Sequence, residues 1–273
     1  MPDFWAHILA GNQVLKDIEN KNIKNIIQNN KRVFNFGCQG PDFFFYNDFW
    51  PWIKDKRGPE AADKMHQKKV KELLIATFSY LKKKNAIEKE ENKKLLAYIC
   101  GFLTHYSLDK TAHPFVFARA DDEQSHKLLE LKLDTYLVEQ YWGAAACSIS
   151  PIKKIYMGKK LPSPIKNYYI YILQSVYKQN KQFNFINDSY TDCRRLLWFF
   201  YSPYKVKFNL LKFINLFTSM ELTNYSYRSI DTKEILKERD YYQFENLFNQ
   251  GVDEGLRLIN LIDDYLHDRV NKN

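Results

Sequence analysis

At 273 residues the chain is long enough to bury a substantial core, and an apolar share of 45% with 16% aromatics excludes a disordered polypeptide. With 9 Gly and 9 Pro it holds too few turn-formers for a sandwich or barrel, so an all-α fold of long helices joined by a few loops is expected. The formal net charge of +9 is spread over Lys clusters at 54–57, 68–71, 82–84 and 153–160. No basic stripe interleaved with aromatics marks a nucleic-acid track, and the charge reads as a solvated Lys-rich surface.

Cys38, Cys100, Cys147 and Cys193 form no CxxC pair and match no zinc-ribbon spacing, so nothing requires them to be oxidised. The start Met-Pro-Asp-Phe-Trp-Ala-His lacks the basic and apolar regions of a leader. No run of about 18 uncharged apolar residues marks a spanning helix. The expectation is a soluble, cytoplasmic protein.

In chain order, residues 4–11 predict a short helix, and 13–28 a second with apolar Val14, Leu15, Ile18, Ile23 and Ile26. A glycine-rich loop over 32–42 ends in Gly40-Pro41-Asp42, and an aromatic run over 43–52, expected in the core, leads to the breaking pair Gly58-Pro59. Residues 60–84 and 88–112 are long helical patterns, the latter expected to stop before Pro114. Residues 122–141 predict a helix with Asp121 or Asp122 as its N-cap.

Pro151, Pro162 and Pro164 mark a loop, followed by helical patterns at 165–179, 192–201 and 205–220. A last helix from about residue 231 opens with the capping-box pattern Asp231-Thr232-Lys233-Glu234. No repeat or linker divides the chain, so a single helical domain over 1–273 is expected. Its first part, 1–145, carries the chemistry, and 146–273 completes the helices.

The histidines carry most of the information. His105, Asp109 and His113 are spaced by four; each such step turns a helix by only about 40°, so the three share one face. Ala97 and Gly101 extend that row backwards and, being small, allow close approach of another helix or of substrate. The next helix repeats the pattern with His126 and Glu130, while His66 lies mid-helix, Asp42 ends the loop, and His7 follows Asp3 by one turn. Any one such His–acid pair is an ordinary helix stabiliser. Their conjunction is what a nitrogen–oxygen metal site needs.

Gly40-Pro41-Asp42, His105-xxx-Asp109 and His126-xxx-Glu130 together resemble the zinc-dependent phospholipase C family, which shares its helical fold with the single-strand-specific S1/P1 nucleases. The resemblance spans about residues 1–140. It implies a cluster of about two or three zinc ions. Asp42, His66, His105 and a bridging Asp109 would hold the first, and His113, His126 and Glu130 the second. His7 and the bridging carboxylate would hold the third. In the secreted members a processed N-terminal Trp completes that third set, whereas here Trp5 is internal; Asp3, or a prolyl amine exposed by loss of Met1, would stand in. The gap from Asp42 to His66 is longer than the family pattern and that from Asp109 to His113 shorter, so Asp48 and Asp63 are alternatives to Asp42.

The resemblance further implies phosphodiester hydrolysis by a metal-activated water, with Asp42 as ligand and proton acceptor. The expected partners are phospholipid or another phosphodiester and a peripheral membrane contact, with nucleic acid as substrate only and no obligate protein partner. A nuclease or nucleotide phosphohydrolase on the same fold, and a non-catalytic zinc-stabilised binding module, are the competing expectations. A His-Asp doublet enzyme is disfavoured because the adjacent pair is His267-Asp268, at the chain's end, and a di-iron bundle because it expects Glu-xx-His rows.

Overall fold

The structure, a computed structural model, describes residues 4–50, 52–179, 183–218, 221–227 and 238–269. Among these the chain is all-α: α1 Phe4–Asp17, α2 Lys21–Asn29, α3 Lys31–Gly37, α4 Arg57–Gln67, α5 Val70–Lys83, α6 Glu90–Phe117, α7 Glu123–Trp142, α8 Pro151–Ile155, α9 Ser163–Ser175, α10 Phe185–Phe200, α11 Lys205–Asn215 and α12 Glu238–Leu266. Short 3-10 turns at Asp42–Tyr46, Ala146–Ser148 and Leu222–Tyr225 fill the connections, and no strand occurs among the described residues. Among the described residues no helix is long and apolar enough to cross a membrane.

Several boundaries differ from the sequence expectation, each for a local reason. The 13–28 pattern is split because Asn20 accepts the N–H groups of Asn22 and Ile23 and starts α2 afresh. The 60–84 pattern is split at Lys69, whose φ of 53° is left-handed and ends helical continuity. Gly58-Pro59 opens α4 instead of breaking it, since a proline in the first turn forfeits an N–H that has no partner there anyway. Pro114 likewise does not stop α6, which runs on to Phe117. Asp122 caps α7 by accepting Ser125 N–H at 2.7 Å, as expected. Residues 231–234, with the expected capping box, lie outside the described residues.

The chain gathers into two compact units, one of residues 1–16, 104–153 and 197–255, the other of 17–103, 154–196 and 256–273. In the second unit α3 crosses α6 at two glycines. A Cβ at Gly101 would lie 2.2 Å from the Phe34 carbonyl oxygen, and one at Gly37 would lie 2.1 Å from that of Tyr98. Gly101 of the ligand row thus admits another helix, one of the two close approaches the sequence allowed. Phe36, Phe43, Phe44, Tyr98, Tyr169 and Tyr190 are buried in this unit's aromatic core, so the first part of the 43–52 run is core, whereas Trp52 is 67% exposed. Burial also pushes the Cys38 thiol up to about 12 and raises those of Cys100 and Cys193, which keeps them protonated and unreactive.

In the first unit Trp5 is fully buried, edge-on to Trp142 at 5.7 Å and beside Tyr227 at 6.3 Å. Gly251 of α12 packs on Leu108 and Thr111 of α6, and Arg119, in the turn just past α6, donates to Asp240 of α12 at 3.0 Å.

Candidate metal centre

In the unit of residues 17–103, 154–196 and 256–273 the candidate donors are Asp42 and His66. Asp42 opens the 3-10 turn that follows the loop, with its N–H donating to the Gln39 carbonyl at 3.0 Å. The loop is held by two tyrosines: the Tyr98 and Tyr169 hydroxyls lie 3.2 and 3.1 Å from the Gly40 carbonyl oxygen and 2.5 Å from each other. Gly40 itself takes a φ of 50°, which glycine adopts without a Cβ clash. Desolvation raises both tyrosine hydroxyls well above their ordinary range, so they remain donors.

His66 meets Asp42 from α4, with Nε2 3.0 Å from Oδ1. Its Nδ1 lies 2.9 Å from the Ala62 carbonyl. A carbonyl only accepts, so Nδ1 carries a proton, and in its neutral form the ring turns the lone pair of Nε2 toward the carboxylate. A lone pair facing a carboxylate calls for a cation or a proton between them, and the same backbone bond that fixes the tautomer is common to metal-bound imidazoles. Phe45 stacks on the ring at 5.7 Å. Of the alternatives to Asp42, Asp63 is exposed, and it is the Asp42 carboxylate that meets His66.

The unit of residues 1–16, 104–153 and 197–255 gathers the remainder. Asp109, on α6 and buried, receives three imidazoles: His105 Nε2 at 3.1 Å from Oδ2, His7 Nε2 at 3.4 Å from Oδ1, and His113 Nε2 at 3.8 Å from Oδ1. The His7 and His105 rings lie 4.4 Å apart. His105 and His113 reach the carboxylate because they flank it by four on one helix; His7 comes from α1, a meeting that no spacing in the sequence announces.

The third pair is on α7, where His126 Nε2 lies 2.9 Å from Glu130 Oε1. Desolvation, aided by nearby His113 and Lys127, pushes the His126 imidazole down to about 4. The ring is therefore neutral at pH 7, the form in which imidazole binds metal. Phe117, 63% exposed, lies with its ring 5.4 Å from that of His113 and 5.1 Å from that of His126.

The same face of α7 continues one step further than the sequence reading took it. Asp134, fully buried, follows Glu130 by four and accepts the N–H groups of Trp5 at 2.6 Å and Ala6 at 2.8 Å, with the Tyr227 hydroxyl donating at 2.7 Å. Extending the period-of-four row of His126 and Glu130 by one member was the available signal. His267, by contrast, pairs with Asp263 at 3.1 Å, while Asp268 pairs with Lys82 at the surface. Asp3 lies outside the described residues.

These donors are imidazole nitrogens and carboxylate oxygens, with no thiolate among them. One carboxylate facing three imidazoles, and a tautomer-fixed lone pair facing another carboxylate, suit a divalent ion of zinc's preferences. Comparison with known families agrees: the model for zinc-dependent phospholipase C matches residues 6–195, a span that contains every one of these side chains, and the chain belongs to that family. No curated protein and no solved structure matches it.

Proposed function

We propose that this chain is a phosphodiester hydrolase dependent on a cluster of about two or three zinc ions, with phospholipid as the first substrate class to consider. The observation that carries the reading is the convergence of His7, His105 and His113 on Asp109. A carboxylate so placed would be shared among ions held by these imidazoles, whereas a structural ion pair would need only one imidazole. The proposed ligands are Asp42, His66, His105, Asp109, His113, His126 and Glu130, with His7 for a further ion.

When bound, zinc acidifies water and neutralises charge on the phosphoryl oxygens. The chain's own part is to hold the donors. The Ala62 carbonyl keeps His66 in one tautomer, the two tyrosine hydroxyls fix the loop before Asp42, and burial keeps His126 neutral. Asp42 is assigned the proton of the attacking water.

Elemental analysis of the purified protein, with turnover of bis-p-nitrophenyl phosphate, tests the reading. More than one zinc per chain with turnover supports it, and His113→Ala and Glu130→Ala should each lower bound zinc and abolish turnover. A single tightly held zinc without turnover would instead mark a structural site.

A further inference from the structure

The candidate metal centre leaves unexplained an apolar surface on the unit of residues 1–16, 104–153 and 197–255. Helix α11 has two apolar faces. Phe208 and Leu211 are buried, as a packed helix requires. Val206, Leu210 and Phe213 succeed one another at steps of four and three, which brings them onto the opposite face, and Phe217 follows in the turn after the helix; all four are exposed, Val206 at 81%, Phe213 at 58% and Phe217 at 74%. Leu216 and Trp198 are exposed beside them. Scattered exposed apolar side chains need no explanation, but a continuous stripe with its aromatic rings in contact, Phe213 on Phe217 at 5.1 Å, is an interaction surface.

The charges around the stripe select the partner. Lys205 and Lys212 flank one side of it and Lys207 the other, with the Lys207 ammonium 4.2 Å above the Trp198 ring. No acidic residue occurs between Asp192 and Glu221. An apolar face bordered by lysines, with an aromatic ring at the polar boundary, is the pattern of a helix lying in the headgroup region of a membrane: apolar side chains enter the acyl boundary while ammonium groups meet lipid phosphates. A protein partner would match part of this surface, but it would not call for cations on both flanks. The segment also lies beyond the residues matched by the family model.

We propose that the exposed face of α11 docks this protein on an anionic phospholipid bilayer. The docking element connects with the chemistry of the same unit. Asn215 at its end bonds Leu222 N–H at 2.8 Å and the Thr223 hydroxyl at 3.1 Å, the turn Leu222–Tyr225 packs against α7, and Lys127 of α7 lies over the Tyr225 ring at 5.7 Å. Helix α7 carries His126 and Glu130. The inference stands apart from the hydrolase reading, because binding to a bilayer requires neither zinc nor turnover.

The test is co-sedimentation of the full chain with phosphatidylcholine vesicles, with and without phosphatidylglycerol. Wild type should bind the anionic vesicles, and weaken as salt rises. Leu210→Ser with Phe213→Ser and Phe217→Ser should weaken partitioning at least tenfold, and Lys205→Glu with Lys212→Glu similarly. Both variants should keep helix content and zinc, since the changed side chains are exposed. Absence of wild-type binding, equal binding to vesicles lacking the anionic lipid, or variants that bind like wild type would each overturn the proposal. So would a wild-type dimer that the serine variant makes monomeric, which would reassign the face to self-association. Vesicle binding as described without turnover of a soluble phosphodiester would sink the hydrolase reading and leave this one standing.

Discussion

The buried Asp134 carboxylate accepts the backbone N–H of Trp5 at 2.6 Å, so a side chain of α7 caps the first turn of α1. A helix leaves its first N–H groups without intrahelical partners and carries partial positive charge there; a buried carboxylate that also takes the Ala6 N–H answers both needs. His7 is the next residue, and the cap thereby fixes the turn from which its ring reaches Asp109. Asp134→Ala should cost about 3 kcal/mol in urea unfolding, because charge-assisted bonds to buried donors are lost together. Asp134→Asn should cost less. Both should weaken the most loosely held zinc by roughly 10–100-fold, as loss of an outer supporting group does, which isothermal titration with zinc would measure. Unchanged zinc affinity in Asp134→Asn would separate the cap from the metal centre.

Removal of metal is the complementary experiment. Three imidazoles about one buried carboxylate make a poor arrangement without a cation, since at most some of the rings can be protonated without repelling one another. Dialysis against a chelator should lower the thermal midpoint, and restoring zinc should recover it, by about 4 kcal/mol when free zinc stands a thousandfold above Kd. Asp109→Ala should abolish that difference, which differential scanning calorimetry with and without chelator would show.

Some of this was legible in the sequence and some was not, for physical reasons. His105, Asp109 and His113 could be placed on one face because a helical period is local information, and the glycine in their row left room for a close approach, which α3 fills at Gly101. The meeting of His7 with Asp109 was invisible to spacing, because it depends on how α1 is seated, and α1 is seated in part by Asp134. The break at Lys69 could not be read either: lysine has no preference for a left-handed φ, and neighbouring packing imposes it. Pro114 was misread because the sequence does not say how a helix accommodates a missing N–H in its last turn.

Close packing at Gly101 makes a sharp stability prediction with a functional consequence. A methyl group there would stand 2.2 Å from a backbone oxygen, which cannot swing away as a side-chain end would. Gly101→Ala should therefore destabilise by about 1–3 kcal/mol or more through overpacking, read by urea midpoint. Because α3 leads directly into the loop that ends at Asp42, displacement of α3 should lower turnover beyond what the stability loss explains. Gly143→Ala is the control: it has open space and only a left-handed φ of 58°, so it should cost about 1 kcal/mol and leave turnover alone.

The tyrosine pair offers a finer test of the same loop. Two hydroxyl hydrogens serve three close oxygens, those of Tyr98, Tyr169 and Gly40, all buried. Tyr98→Phe or Tyr169→Phe alone should cost about 0.5–1.5 kcal/mol, since the remaining hydroxyl can still donate to Gly40. The double variant leaves a buried carbonyl without its donors and should cost more than the sum, a coupling that a double-mutant cycle measures.

Phe117 yields the prediction closest to substrate. Its ring stands exposed between the rings of His113 and His126, where it adds apolar surface beside two proposed ligands without offering a donor atom. A contact of that kind holds substrate and transition state about equally, so its loss should appear in KM and not in kcat. Burial of part of an aromatic ring is worth about 1 kcal/mol, which corresponds to roughly fivefold. Phe117→Ala should accordingly raise KM about fivefold for a phosphodiester with an apolar group, and less for one without, at unchanged zinc content. A fall in kcat with zinc retained would mean that the ring positions His113 or His126 for the chemical step.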